Sequence, residues 1–305
     1  MGGDHDASAS TASRCLRSAL FARVDSVRET LTAGITESLA GRTLAPRSVA
    51  ALRDAGLFSM KLPTELGGTE PDPMLQVEVI EALCYIDASM GWNVCIGNGA
   101  SSLCAFWPDE AIAAMFKGGH IPTMAGVFNP ARAVPVPGGL RVSGRWSWGS
   151  GIAHAEWVGA HVLVEMGRDQ RPTSRMVVMP IDAVTLHDNW HVAGLQGTGS
   201  CDFSAQDLFV ADGFSFDLST FEPKRGGPFF KMGLPGLLIN EFMDLYFGVA
   251  RRALDEMVSL IKSKQRGYGK PHSVADRGVV QRALGEGDLK LRAARALAME
   301  ILADA

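Results

Sequence analysis

Apolar positions along the chain change period twice, and the two changes divide it into three regions. In the first, Leu16, Leu20, Val24 and Val27 recur at the spacing that lines one face of an α-helix. Pro46 opens a second segment of that period through Val49, Leu52 and Leu57. The loop LPTELGGTEPDP interrupts it, and Asp72 before Pro73 predicts an N-cap with proline at the first helical position. Val77, Ile80, Leu83 and Cys84 then face inward. A buried helix near 89–105 follows, and Pro108-Asp109-Glu110 opens another that stops at Gly118-Gly119. Residues 14–120 are therefore predicted to form an N-terminal helical domain.

From residue 121 the period becomes two. Leu140 and Val142 alternate with polar neighbours, Trp157–Val164 and Met176–Met179 read as strands, and Phe203, Ala205, Asp207 and Phe209 alternate again. Gly, Pro and Asp clusters separate these runs, which predicts a central barrel-like domain of antiparallel strands over 121–220. After the linker EPKRGGPF, helical spacing returns over 221–305. One helix is predicted near 229–263, and after the loop KSKQRGYGKPH a second places Leu291, Ala294, Leu297, Ala298 and Ile301 on one face. Two amphipathic helices seldom bury their apolar faces alone, so this C-terminal helical bundle is expected to be incomplete, with partner helices from another subunit or from sequence absent here. The fold class is α+β.

Composition narrows the function. The 305 residues are 47% hydrophobic, and 29 basic against 33 acidic side chains give a net charge of −4 with the signs interspersed. No basic stripe marks a nucleic-acid partner. Five cysteines at irregular spacing, without a CxxC pair, argue against a disulfide framework or a structural zinc and fit a cytoplasmic protein. Residues 1–13, MGGDHDASASTAS, carry acids and no apolar run, and are expected to be a disordered tail and no signal peptide; no segment reads as a membrane span.

The chemistry concentrates in GRWSWGSGIAHAEW, residues 144–157. In an extended strand Trp146, Trp148 and Ser150 share a face, so two indoles would stand beside a hydroxyl, and Gly149 and Gly151 would let a ligand approach the backbone. The alternative is a hairpin with core tryptophans and a plain Gly-Ser-Gly turn. His154 could donate a hydrogen bond or move a proton near neutral pH. None of the other histidines offers a helical metal pair, so no metal site is expected. GLQGTGS, residues 194–200, lacks the lysine of a phosphate loop and leads into a strand where a helix is required. Met90, Trp92, Cys95, Phe106 and Trp107 are a candidate apolar substrate lining or simply helix packing.

The order helices, β domain, helices, with LPTELGG, GGLRVSGRWSWGSGIAHAEW, GLQGTGSCDFSAQDLFVAD and GVARRALDEM, resembles the acyl-CoA dehydrogenase superfamily over roughly residues 20–305. Within it the chain looks most like the flavin-dependent monooxygenases that hydroxylate aromatic or polycyclic molecules with O2 and reduced flavin, FMN or FAD, from a partner NAD(P)H:flavin reductase. Members usually continue for several more helices, so the resemblance implies C-terminal truncation; a homo-oligomer, dimer or tetramer, is expected through the C-terminal helices. The resemblance implies that Trp148 walls the flavin, Ser150 bonds its N5 edge, Asn129 in MAGVFNPAR passes the pyrimidine, and Thr198 and Ser200 lie near the phosphate. Asn129 reads equally well as an Asn-Pro turn.

Two positions depart from the family. Gln265 stands where dehydrogenase members place a pyrophosphate-clamping arginine before an aromatic-Gly pair, here Tyr268-Gly269. Ala100 stands where several hydroxylating members place a histidine, leaving Asn98 as the candidate substrate hydrogen bonder. Two rivals follow. The first is α,β-dehydrogenation of an acyl thioester, for which Leu238 occupies one subgroup's base position a turn from Glu241. The second is an inactive truncated scaffold.

Overall fold

The computed structural model describes residues 3–165, 171–238, 242–266 and 272–304. Its helical lobe consists of α1 (Gly3–Gly41), α2 (Pro46–Asp54), α3 (Pro73–Ile86), α4 (Ala88–Ser102) and α5 (Asp109–Met115). The first turns of α1 take in residues read from sequence as a disordered tail. Asp72 caps α3 as expected, its carboxylate accepting from the Leu75 N–H at 2.9 Å. Asp87 does the same for α4 through the Met90 N–H at 3.0 Å, so one acid ends α3 and starts α4. Leu20, Val24, Leu31, Leu52, Val79, Leu83 and Val94 pack one continuous core among these helices.

The sheet follows as β1 (Met124–Val136), β2 (Gly139–Gly149), β3 (Trp157–Val164), β4 (Thr173–Pro180), β5 (Thr185–His187), β6 (Cys201–Ala211) and β7 (Ser215–Asp217), in the order β5-β6-β2-β1-β3-β4-β7. All ladders are antiparallel except β1 with β3, which run parallel from Met124 opposite Trp157, so the sheet is mixed where alternation alone predicted antiparallel strands. Period-two alternation fixes which face of a strand is apolar and carries no information on strand direction. Val142, Trp146, Val158, Val162 and Phe203 fill its inner face.

The C-terminal region holds α6 (Gly233–Leu238), α7 (Met243–Ser263), the short ladder β8 (Gln265–Arg266) with β9 (His272–Ser273), and α8 (Gly278–Asp304). The single helix predicted over 229–263 is broken before α7, where Phe242 takes a left-handed backbone (φ 89°). Glu241, Tyr268 and Gly269 lie outside the described residues. Of the face expected to need partner helices, Leu297 and Ile301 are exposed, while Leu291 and Ala298 pack against Val77, Phe247 and Leu302 within the chain. No helix among the described residues is long and apolar enough to cross a membrane.

Candidate active site

The end of β2 does not continue as an extended strand. Its pairing with β6 shifts register between Trp146 and Gly149, and Trp148 adopts φ 67°, a left-handed conformation that costs an L-residue about 1–2 kcal/mol. The turn is closed by the Ser150 N–H donating to the Trp148 carbonyl at 2.9 Å. This left-handed residue inverts the expected alternation, so the three side chains do not share a face. Trp146 is fully buried, stacked on Phe203 at 5.1 Å, with its Nε1–H donating to the His161 carbonyl. Trp148 is 73% exposed, an indole held out in water by a strained backbone. Ser150 turns inward and is buried.

Small residues make this turn possible. A Cβ on Gly149 would sit 3.1 Å from the Cys201 carbonyl oxygen, and Gly151 combines φ 72° with a Cβ position only 2.7 Å from Asn93 Oδ1. Across the turn lies the segment 194–200, tied on by the Gly151 N–H donating to the Thr198 carbonyl at 2.9 Å. Leu195 and Gly199 are both left-handed there, so the Gly-rich run makes a tight reversal between loop and strand.

The reversal brings three hydroxyls into line. Ser150 Oγ lies 2.8 Å from Ser200 Oγ, which lies 2.7 Å from Thr198 Oγ1, which donates to the Leu195 carbonyl at 2.9 Å. From the helical side, the Trp92 indole N–H donates to Ser150 Oγ at 2.9 Å, and the Trp92 ring stands tilted against Phe242 at 5.5 Å. Asn93, the next residue on α4, donates to the Ser89 and Gly197 carbonyls, while its buried Oδ1 has no partner among the described residues. Trp92, Trp148, Gly149, Ser150, Thr198 and Ser200 therefore converge. Thr198 and Ser200 are buried and engaged with each other.

His154 is beside this turn. Burial first, and the Arg53 charge second, lower its pKa to about 4, which keeps it neutral at pH 7. Its Nδ1 is sealed from solvent without a partner among the described residues, and the ring packs on Phe58 at 5.5 Å. The neutral, enclosed ring is the form in which His154 stands beside the turn.

Three other candidates stand apart. Asn98 is fully buried, its amide donating to the Leu57 and Val94 carbonyls and its oxygen accepting from the Lys61 N–H. That side chain locks α4 to the segment before α3 and has no N–H to offer a substrate. Trp107 is a core plug against Phe216 at 4.6 Å. Asn129 is exposed where the β1–β3 register shifts between Val127 and Ala131, as an irregular Asn-Pro segment would be. Sequence reasoning missed Asn93 and the Leu195 carbonyl; an asparagine on an otherwise apolar helix, next to a tryptophan, was the available signal for the first.

The family described as acyl-CoA dehydrogenase, C-terminal domain, matches residues 244–305. An indole-3-acetate monooxygenase of Pseudomonas putida is 30% identical over 251 residues, which are 82% of this chain and 64% of that one. Residues 244–305 thus match the acyl-CoA dehydrogenase C-terminal domain family, and the relative over most of the chain is a monooxygenase. An FADH(2)-dependent resorcinol hydroxylase, oxygenase component, of a Rhizobium species is 29% identical over 192 residues, 63% of this chain and 47% of that enzyme. The chain thus spans less than two thirds of the length of either relative. The acyl-CoA dehydrogenase fold itself is matched by XiaF from a Streptomyces species, solved with FADH2 and glycerol, at a TM-score of 0.86 and 24% identity over 97% of this chain and 77% of that one.

Proposed function

We propose that this chain is the oxygenase component of a two-component flavin monooxygenase, which hydroxylates an aromatic or polycyclic small molecule. The observation that carries the reading is the pairing of an exposed, backbone-strained Trp148 with the buried hydroxyl of Ser150 in one turn. Strain of this kind persists where function requires it. The residues fit a flavin: an apolar plate open on one side, glycines that keep Cβ atoms out of the approach, and a hydroxyl with hydrogen-bonding capacity left over. Trp148, Gly149 and Ser150 would hold it. Bound reduced flavin supplies the two electrons that let one atom of O2 enter the substrate and the other leave as water.

The protein's own part is to exclude water, orient and hold a proton. Trp148 shields one side of the ring, Ser150 accepts a hydrogen bond at its edge, and neutral His154 adds no charge nearby. The dehydrogenase alternative needs a carboxylate facing the substrate. Asp244 at the start of α7 is fully buried against Cys95 and the Leu245 N–H, which withholds it from that role.

The names of the relatives support an aromatic substrate and a partner NAD(P)H:flavin reductase, with FAD or FMN as the carrier. The exposed apolar residues of α8 support a dimer or tetramer, and cysteines at irregular spacing without a CxxC pair support a cytoplasmic setting. The test combines the chain with NADH, a flavin reductase and flavin. Oxygen-dependent hydroxylation of indole-3-acetate or resorcinol is the expected result, whereas dye reduction by acyl thioesters without oxygen would favour dehydrogenation. Ser150→Ala is expected to release more hydrogen peroxide per product; unchanged coupling would remove Ser150 from the reaction.

A further inference from the structure

We propose that Thr198, Ser200 and the Leu195 carbonyl fix the hydrogen-bond polarity of Ser150, so that the site accepts a hydrogen bond from its ligand and cannot donate one. The proposal rests on the flavin reading above. Applied to it, this polarity selects reduced flavin, whose N5 carries a proton, over oxidised flavin, whose N5 is itself an acceptor.

The argument is a count of protons. Three hydroxyls make three contacts in series: Ser150 with Ser200 at 2.8 Å, Ser200 with Thr198 at 2.7 Å, and Thr198 with the Leu195 carbonyl at 2.9 Å. Each hydroxyl has one proton to give. A carbonyl cannot donate, so the last contact takes the Thr198 proton. Ser200 must then donate to Thr198, and Ser150 to Ser200. All three protons are spent inside the protein. Of the two lone pairs on Ser150 Oγ, one is occupied by the Trp92 indole N–H, a group that only donates. One lone pair remains.

The opposite polarity would need Ser150 to turn its proton outward. Ser200 would then donate to Ser150 and Thr198 to Ser200, which leaves the 2.9 Å contact between the buried Thr198 hydroxyl oxygen and the Leu195 carbonyl without a proton, two oxygens facing each other. Thr198 is fully buried, and its backbone N–H donates to the same Leu195 carbonyl at 3.1 Å, which keeps the hydroxyl and carbonyl oxygens together in either polarity. The left-handed backbone of Leu195 aims that carbonyl, so a local conformation at one end of the chain sets the chemistry at the other. Thr198 and Ser200 are positioning residues in this scheme and touch no ligand themselves.

The experiment measures dissociation constants of the full chain for oxidised FMN and FAD in air, and for the photoreduced flavins under argon. The native protein is expected to bind the reduced form at least about tenfold tighter. Thr198→Val removes one contact, frees the Ser200 proton for Ser150 and lets the Ser150 proton face outward. It is expected to narrow the preference about tenfold, chiefly by tightening oxidised flavin, which lowers the bound two-electron potential by about 30 mV. Thr198→Ser restores the hydroxyl and should restore the preference, which a purely structural role of the threonine would not predict. If Thr198→Val fails to fold, Ser200→Ala tests the same point by removing the acceptor of the Ser150 proton. A preference unchanged in whichever variant folds overturns the polarity assignment while leaving the flavin reading intact. Absence of binding in both redox states overturns the flavin reading, and this proposal with it.

Discussion

Trp146 and Trp148 lie two residues apart on β2, and their surroundings are opposite. Trp146 belongs to the packed interior of the sheet, stacked on Phe203 with its N–H satisfied; Trp148 belongs to the strand's end, left-handed and exposed. The interior gains free energy from burial and has no freedom left for chemistry. The end gives up free energy, in strain and in exposed apolar surface, and on the proposed reading holds a plate and a hydroxyl for a ligand. On the proposed flavin reading, stability and function are thus separated along one strand by a single inverted residue.

The largest expected effect tests the interior side of that contrast. Trp146→Ala empties a fully buried indole volume and should cost about 3–5 kcal/mol of unfolding free energy, read from the denaturant midpoint at constant m-value. A loss below about 1 kcal/mol would mean that Trp146 is not the core residue described.

The second effect compares the buried titratable groups of the two lobes. His154, beside the strand end, is held near pKa 4 by burial and then by Arg53. Its unfolded value near 6.5 means that the unfolded chain binds more protons between these limits, so its contribution falls as pH drops from about 6.5 to 4. Asp244, at the start of α7, is raised to about 6 by burial, opposed by its bond from the Leu245 N–H and by Lys61. There the folded chain keeps the proton longer, so its contribution falls as pH rises from about 4 to 6. Each shift corresponds to about 3 kcal/mol, and the two nearly cancel. His154→Gln should therefore raise stability at pH 4.5 relative to pH 7 by about 2–3 kcal/mol, and Asp244→Asn should raise it at pH 7 relative to pH 4.5 by about 2 kcal/mol. Urea midpoints at the two pH values check both; equal midpoints shifts at both pH values would remove the proposed opposition.

What the sequence made legible follows the same division. The three-part order, the Asp72 cap and the apolar faces of α3 and β2 were readable because each depends on short-range spacing that packing then reinforces. The site was readable only by residue type. Ser150 and Trp148 were identified, yet their shared face was wrong, since nothing in the pattern announces a left-handed tryptophan. The parallel β1–β3 pair and the break at Phe242 are likewise decided by distant packing. Asn98 and Trp107 carried chemistry-bearing side chains and turned out to serve the interior, because a helix with no polar face cannot show which of its polar residues are already spent.

The smallest effect sharpens the comparison most. Trp148→Gly relieves a left-handed backbone that an L-side chain occupies at a cost and that glycine adopts freely. It also removes an indole that, at 73% exposure, buries little in the free protein. Folding stability should stay level or rise by about 1 kcal/mol, the relief of strain being partly offset by the greater freedom of glycine in the unfolded chain. Flavin affinity should fall at least about tenfold, since the ring loses its apolar wall. Thermal denaturation of the free protein and flavin fluorescence titration read the two quantities independently. A variant that is both less stable and equally good at binding flavin would place Trp148 with Trp146, as a structural residue, and would dissolve the division of β2 into a stabilising interior and a functional end.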